Sequence, residues 1–259
     1  MQLIRGFVLA SALIAGVSVL VPVSQAHARS ENSAPVQNVN LLNQGEQHVQ
    51  QGDFAGAIAL YTQAIRANPK YTDAYLHRGL ALHDSGNPEG AIADFEQAVK
   101  LEPNNAKAFY NRGETRSDLG DLQRAFADLS QAIRLQANYP EAFNTRGVVQ
   151  AGRGDLKLAI ADLTQAVKLR PNYADAFYNR GKARTEVKDA KGAIADFTAA
   201  IRIDSGLAEA YGNRGLLYAQ TGNKSSALQD LQTAAKLFQQ QGNQESYQET
   251  LAYIQQLQQ

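Results

Sequence analysis

The sequence predicts an all-α protein built from six tandem antiparallel helix hairpins. Three observations predict it. The dipeptide Arg-Gly recurs at Arg78-Gly79, Arg112-Gly113, Arg146-Gly147, Arg180-Gly181 and Arg214-Gly215, each step being 34 residues. Alanines recur at the same period, at Ala57, Ala91, Ala125, Ala159, Ala193 and Ala227 and again at Ala64, Ala98, Ala132, Ala166, Ala200 and Ala234. Between the glycine and the first alanine lies a turn signal, Gly52-Asp53, Gly86-Asn87, Gly120-Asp121, Gly154-Asp155 or Gly222-Asn223. A fixed period of this length marks a repeat architecture in which each unit is one supersecondary element.

Taken in chain order, residues 1–28 read as an address rather than as part of the fold. Arg5 supplies a basic start, Phe7 to Val21 carries no charge, Pro22 interrupts it, and Ala26-His27-Ala28 is a small-x-small site. That is the layout of a secretory signal peptide, cleaved after Ala28 or else after Ala26. The alternative is an uncleaved membrane anchor, since the apolar stretch is nearly long enough to span. An exported, periplasmic or secreted protein is therefore expected, with membrane association only if the segment stays on. Arg29 to Gln37 lack periodicity and read as a linker.

The repeats follow at 38–71, 72–105, 106–139, 140–173, 174–207 and 208–241. In each, glycine in the left-handed conformation ends the first helix, and the Asp or Asn after it caps the second. The fifth repeat has Lys188-Asp189 instead. A left-handed lysine costs about 1 kcal/mol, so a looser or differently shaped turn is expected there. Glycine inside a helix also costs ~1 kcal/mol relative to alanine. Its presence at Gly45, Gly79, Gly113, Gly147, Gly181 and Gly215 therefore implies a neighbouring helix too close for a side chain. Tyr61, Phe95, Leu129, Leu163, Phe197 and Leu231 fill the space beside the alanines of the second helix. After Gly242-Asn243 a last helix over 242–259 places Tyr247, Leu251 and Ile254 on one face, suited to sealing the end of the array.

This pattern resembles the tetratricopeptide repeat. The early aromatic is Tyr75, Phe109, Phe143, Phe177 or Tyr211, replaced by Leu41 in the first unit; the late proline is Pro69, Pro103 or Pro171, with Ala137, Ser205 and Gln239 departing from it. The resemblance implies a right-handed superhelical α-solenoid whose first helices line a concave groove, and a scaffold or adaptor that binds a protein or an extended peptide there. A structural or self-assembling subunit of an envelope complex is the alternative.

Two residue sets stand out. Arg78, Arg112, Arg146, Arg180 and Arg214 share one slot of the first helix, and Asp94, Asp128, Asp162, Asp196 and Asp230 share one of the second. The first repeat has neither, carrying Gln44 and Leu60. Joint presence and absence implies an ion pair within each hairpin; a row of anion-binding arginines is the other reading. Two positions before the glycine stand Asn43, His77, Asn111, Thr145, Asn179 and Asn213. Asparagine is a mediocre helix former, and its amide matches a peptide group with one donor side and one acceptor. The row resembles the asparagine ladder with which some members of the family grip a peptide backbone; bonding to neighbouring helices or to water is the alternative. Tyr110, Asn144, Tyr178, Lys182, Glu46 and Glu114 flank the row and vary as a specificity surface would. The slots of a carboxylate clamp hold mostly Leu, Tyr, Glu and Val, which argues against one.

Nothing points to chemistry. Basic and acidic residues balance at 25 each, so no footprint for nucleic acid is present. There is no cysteine, which removes thiolate metal sites and a cysteine nucleophile. His77 and His83 are six apart and cannot form an i, i+4 metal pair, and His48 belongs to another repeat. No phosphate loop, G-x-S-x-G or H-E-x-x-H motif occurs. No cofactor, no metal, no small-molecule or nucleic-acid partner and no catalysis are expected.

Overall fold

The computed structural model describes residues 33–259, and the proposed signal segment, residues 1–28, lies outside them. The described residues form thirteen α-helices and fall into two compact units. The first unit, to Ala137, holds α1 (Ser33–Gln50), α2 (Phe54–Ala67), α3 (Thr72–Asp84), α4 (Pro88–Leu101), α5 (Ala106–Asp118) and α6 (Leu122–Leu135). The second, Asn138–Gln259, holds α7 (Pro140–Gly152), α8 (Leu156–Leu169), α9 (Ala174–Glu186), α10 (Ala190–Ile203), α11 (Ala208–Gln220), α12 (Lys224–Gln240) and α13 (Gln244–Gln258). Within each unit every odd-numbered helix packs on the next even one, which packs in turn on the first helix of the following hairpin. None of the described helices is long and apolar enough to cross a membrane.

The glycines of the first helices are set by packing. A Cβ on Gly79 would lie 2.5 Å from the ring of Phe95, and one on Gly113 would lie 2.9 Å from Leu129 Cγ. The large residue of the second helix thus rests directly on the backbone of the first. Around it the alanine slots are sealed, with Ala57, Ala64, Ala91, Ala98, Ala193 and Ala200 at 0% exposure. A further alanine joins neighbouring hairpins: Ala74 packs with Ala57, Tyr61 and Ala64, Ala108 with Phe95 and Ala98, and Ala210 with Phe197. Close approach of small side chains leaves no room for a larger residue at these positions.

Turns and ends follow the local chemistry with three departures from expectation. Gly52, Gly86, Gly120, Gly154 and Gly222 have φ between 75° and 85°. Lys188 takes φ 65°, so its turn keeps the same shape rather than loosening. The reason is in its bonds: Lys188 N and Asp189 N donate to Thr185 O and Arg184 O at 3.0 and 2.9 Å, as Gly154 N and Asp155 N donate to Ala151 O and Gln150 O at 2.9 Å. The flanking helices fix the turn, and the lysine bears the strain. The second departure is α1, which begins at Ser33, inside the stretch expected to be a linker. Pro35 falls in its first turn, where backbone N–H groups have no intrahelical acceptor and none is lost.

The third departure lies in α13. Leu251 is 37% exposed, while Ser246 and Thr250 are buried at 4% and 2%. The small residues at i, i+4 face the bundle because α12 approaches closely, and the Thr250 hydroxyl is satisfied by Ser246 O at 2.7 Å. Tyr247 packs with Phe238 and Leu237, and Ile254 is half-buried. α12 itself, at 17 residues, runs three residues longer than the 14-residue second helices before it.

Candidate peptide-binding face

The arginines of the first helices are held inside their hairpins. Nε and Nη2 of Arg78, Arg112, Arg146, Arg180 and Arg214 donate to the two carboxylate oxygens of Asp94, Asp128, Asp162, Asp196 and Asp230, at 2.6–2.9 Å. Each guanidinium also stacks on the early aromatic three residues before it, 5.4–5.8 Å from the ring centre. Nη1 of Arg78, Arg180 and Arg214 reaches the hydroxyls of Thr62, Thr164 and Thr198 in the preceding hairpin, at 3.1, 3.2 and 2.9 Å. Those hydroxyls donate in turn to Ile58 O, Ile160 O and Ile194 O. Asp128 and Asp196 each take a second arginine, Arg116 Nη1 at 2.6 Å and Arg184 Nη1 at 2.8 Å. All five arginines thus tie the two helices of their hairpin together through Nε and Nη2, and Arg78, Arg180 and Arg214 also tie hairpin to hairpin.

In the first unit the asparagine slot carries unlike groups. Asn43 is exposed and Asn111 half-buried. His77 is half-buried beside the Tyr61 ring, 5.6 Å between centroids, and 3.7 Å from Glu46 Oε1. Burial holds its imidazole below the ordinary pKa of 6.5, with Glu46 opposing. Tyr110 donates its hydroxyl to Glu114 Oε1 at 2.5 Å. Burial pushes the Glu114 carboxyl up, against the lowering effect of that bond. Nearby, His83 is gripped by Asp118 Oδ2 at 2.9 Å and Asp84 Oδ1 at 3.3 Å. These bonds raise its pKa to about 10, so it is a fixed cation at neutral pH.

In the second unit Thr145, Asn179 and Asn213 are half-buried and Asn144 is buried. The amides bond to their neighbours: Asn179 Nδ2 donates to Asn144 Oδ1 at 3.0 Å, and Asn213 Nδ2 donates to Glu209 O at 2.9 Å and to the Tyr178 hydroxyl at 3.4 Å. The Oδ1 atoms of Asn179 and Asn213 remain as acceptors. Lys182 Nζ lies 5.7 Å from the centre of the Tyr178 ring. The asparagine-to-asparagine bond was not legible in the sequence, because Asn144 and Asn179 occupy different slots of their repeats. Among the described residues no group of three His, Asp or Glu side chains is placed to hold a metal ion.

Models of the tetratricopeptide repeat match residues 42–93, and again 106–139 and 208–241, and a TPR repeat model matches 79–117 and 151–187. The chain belongs to the tetratricopeptide repeat family. Among solved tetratricopeptide repeat structures, YrrB, described as having an unusual peptide-binding site, is 26% identical with a TM-score of 0.57, over 68% of this chain and 91% of its own. MamA is 27% identical with a TM-score of 0.57, over 64% and 96%. The pilF protein of Pseudomonas aeruginosa matches over 86% of this chain and 100% of its own, with a TM-score of 0.75 at 16% identity. PilW, a type IV pilus biogenesis factor, does so with 0.74 at 19%. At those identities the likeness is one of fold, the tetratricopeptide α-solenoid. Among curated protein sequences none is significantly similar to the chain.

Proposed function

We propose that the protein is an exported scaffold that holds an extended segment of a partner protein against the first helices of its repeats, and that it performs no chemistry. The observation that carries this reading is the open asparagine amides on the first helices, taken in each unit by itself. Asn111 offers both sides of its amide, and Asn179 and Asn213 offer open Oδ1 acceptors after their donors are spent on Asn144, Glu209 and Tyr178. An open acceptor beside a half-buried surface suits a backbone N–H that must be desolvated on binding. The internal ion pairs support the same reading, because they commit the paired arginines to the hairpins. The peptide-binding site named for YrrB, at 26% identity, is in keeping with it. Export rests on Arg5, the uncharged stretch and Ala26-His27-Ala28.

Two measurements test the two halves. N-terminal sequencing of the exported protein is expected to give Arg29 or His27; a full-length chain retained in the membrane contradicts export. A random-peptide array probed with the purified protein is expected to yield extended binders whose affinity falls when Asn111 becomes alanine. Binders indifferent to that change would place recognition elsewhere.

A further inference from the structure

The cations of the second unit are sorted by helix. Lys157 and Lys168 on α8, Lys191 and Arg202 on α10, and Lys224 and Lys236 on α12 are all exposed. None of them takes part in a side-chain hydrogen bond or an ion pair among the described residues. The only carboxylates on these three helices are Asp162, Asp196 and Asp230, which are buried and bound by Arg146, Arg180 and Arg214. Glu141, Asp175, Glu186, Glu209, Glu245 and Glu249 stand on the odd-numbered helices instead. The balance of charge over the chain thus conceals a segregation within the unit. Cations in the last turn are expected, since a helix C-terminus favours positive charge, and Arg66, Lys100, Arg134, Lys168 and Arg202 all stand there. The first-turn lysines call for another reason. Lys157, Lys191 and Lys224 sit at the positive ends of their helix dipoles, where a carboxylate is favoured. In the first unit that turn carries no cation in α2, Glu89 in α4 and, in α6, Arg124, which is paired with Asp121. Beside Lys157, Leu158 is 56% exposed, where the other second helices have Gly56, Gly90, Arg124, Gly192 or Ser226.

We propose that the outward faces of α8, α10 and α12 are a docking surface for an anionic phospholipid bilayer. Lys157 and Lys168, like Lys191 and Arg202, lie three helical turns apart and so share one stripe of their helix, with exposed Ala161 and Ala195 between them. Long, unpaired cations at both ends of each helix, with small residues between, make a field of positive charge. A protein partner is held mainly by aromatic anchors packed at a desolvated centre, and the aromatic residues of these helices, Phe197 and Phe238, are buried. A bilayer asks only for positive charge near its surface, each lysine or arginine adding about fivefold to partitioning. An exposed aliphatic side chain such as Leu158 can enter the headgroup boundary. The amides of the proposed peptide-binding face stand on the other helix of each hairpin, so this inference does not depend on that reading.

The test is flotation of the chain from Arg29 onward, which contains every described residue and leaves out the apolar segment before it. It is mixed with vesicles of phosphatidylcholine alone or of phosphatidylcholine and phosphatidylglycerol in equal parts. The expected result is binding to the phosphatidylglycerol vesicles only, weakening steeply as salt is raised from low to physiological strength. The Lys157→Gln, Lys168→Gln, Lys191→Gln variant removes three exposed charges and no contact. It should partition about a hundredfold more weakly while melting as the unaltered protein does. Equal binding to both kinds of vesicle, no binding to phosphatidylglycerol, or full binding by a folded triple variant overturns the proposal. So does tighter binding to polyglutamate or to polyuridylate at the same anionic charge, which would assign the surface to an acidic protein or to nucleic acid. The lipid and salt comparisons on the unaltered protein decide the claim even if the variant fails to fold.

Discussion

A carboxylate with 3–7% of its surface exposed, as in Asp94, Asp128, Asp162, Asp196 and Asp230, depends on its partner. Each forms a two-point bond to arginine, and losing one side strands a charge in a poorly solvated hairpin. Asp162→Ala is expected to cost about 3–5 kcal/mol, and the Arg146→Ala, Asp162→Ala double variant less than the sum of the two singles. Equilibrium denaturation of the four proteins checks this, and strict additivity would contradict it. The pairing could be read from the sequence because both residues are absent together from the first repeat. The threonine stitch could not, since Thr62, Glu96, Ser130, Thr164 and Thr198 vary along that slot. Lys188 gives a second residue-scale prediction. Lys188→Gly relieves a left-handed side chain whose hydrogen bonds are all backbone, and should stabilise the fold by about 1 kcal/mol; an unchanged melting temperature would contradict that. His83 gives a third. Its pKa is raised from 6.5 to about 10 in the folded state, so the folded protein holds the proton more tightly than the unfolded chain. Its contribution is therefore full below about pH 6.5 and is lost as pH rises toward 10. An NMR titration placing the imidazole near its ordinary value would refute the grip of Asp118 and Asp84.

At the scale of the helix, the glycine and alanine slots were legible because each is small for one reason, close packing: a large side chain of the second helix rests on each glycine, and the alanines are sealed between helices. What was not legible was rotation. The face of α13 was assigned from its large apolar residues, yet Ser246 and Thr250 turn inward and Leu251 outward. Hydrophobic period identifies a helix well but identifies its buried face poorly when the contact is tight enough to exclude large side chains. α13 nonetheless covers the last hairpin, with Tyr247 on Phe238 and Leu237. Truncation after Gln241 would uncover Phe238, a side chain whose burial is worth about 1.5–3 kcal/mol. Hydrogen exchange should then quicken first in α11 and α12, and unchanged protection there would mean that α13 is not a cap.

Across the whole molecule, the repeat made the fold readable and hid the site. Positions that recur every 34 residues report packing. On the proposed function, the choice of partner would fall to positions that break the period, such as His77 and Thr145 in the asparagine row. Bonds between unlike slots, such as Asn179 to Asn144, also bear on any mutational test. Asn179→Ala takes the donor from a buried acceptor and is expected to lower stability by about 1 kcal/mol, whereas Asn111→Ala replaces an unbonded amide with a better helix former. The central claim is that these amides hold a partner's backbone. Calorimetric titration of an array-selected peptide into the unaltered protein and into the Asn111→Ala, Asn179→Ala, Asn213→Ala variant tests it most directly. With each amide worth about 0.5–1.5 kcal/mol, the account predicts that affinity falls by about tenfold to a few hundredfold in a variant that remains folded. A folded variant that keeps full affinity would contradict it.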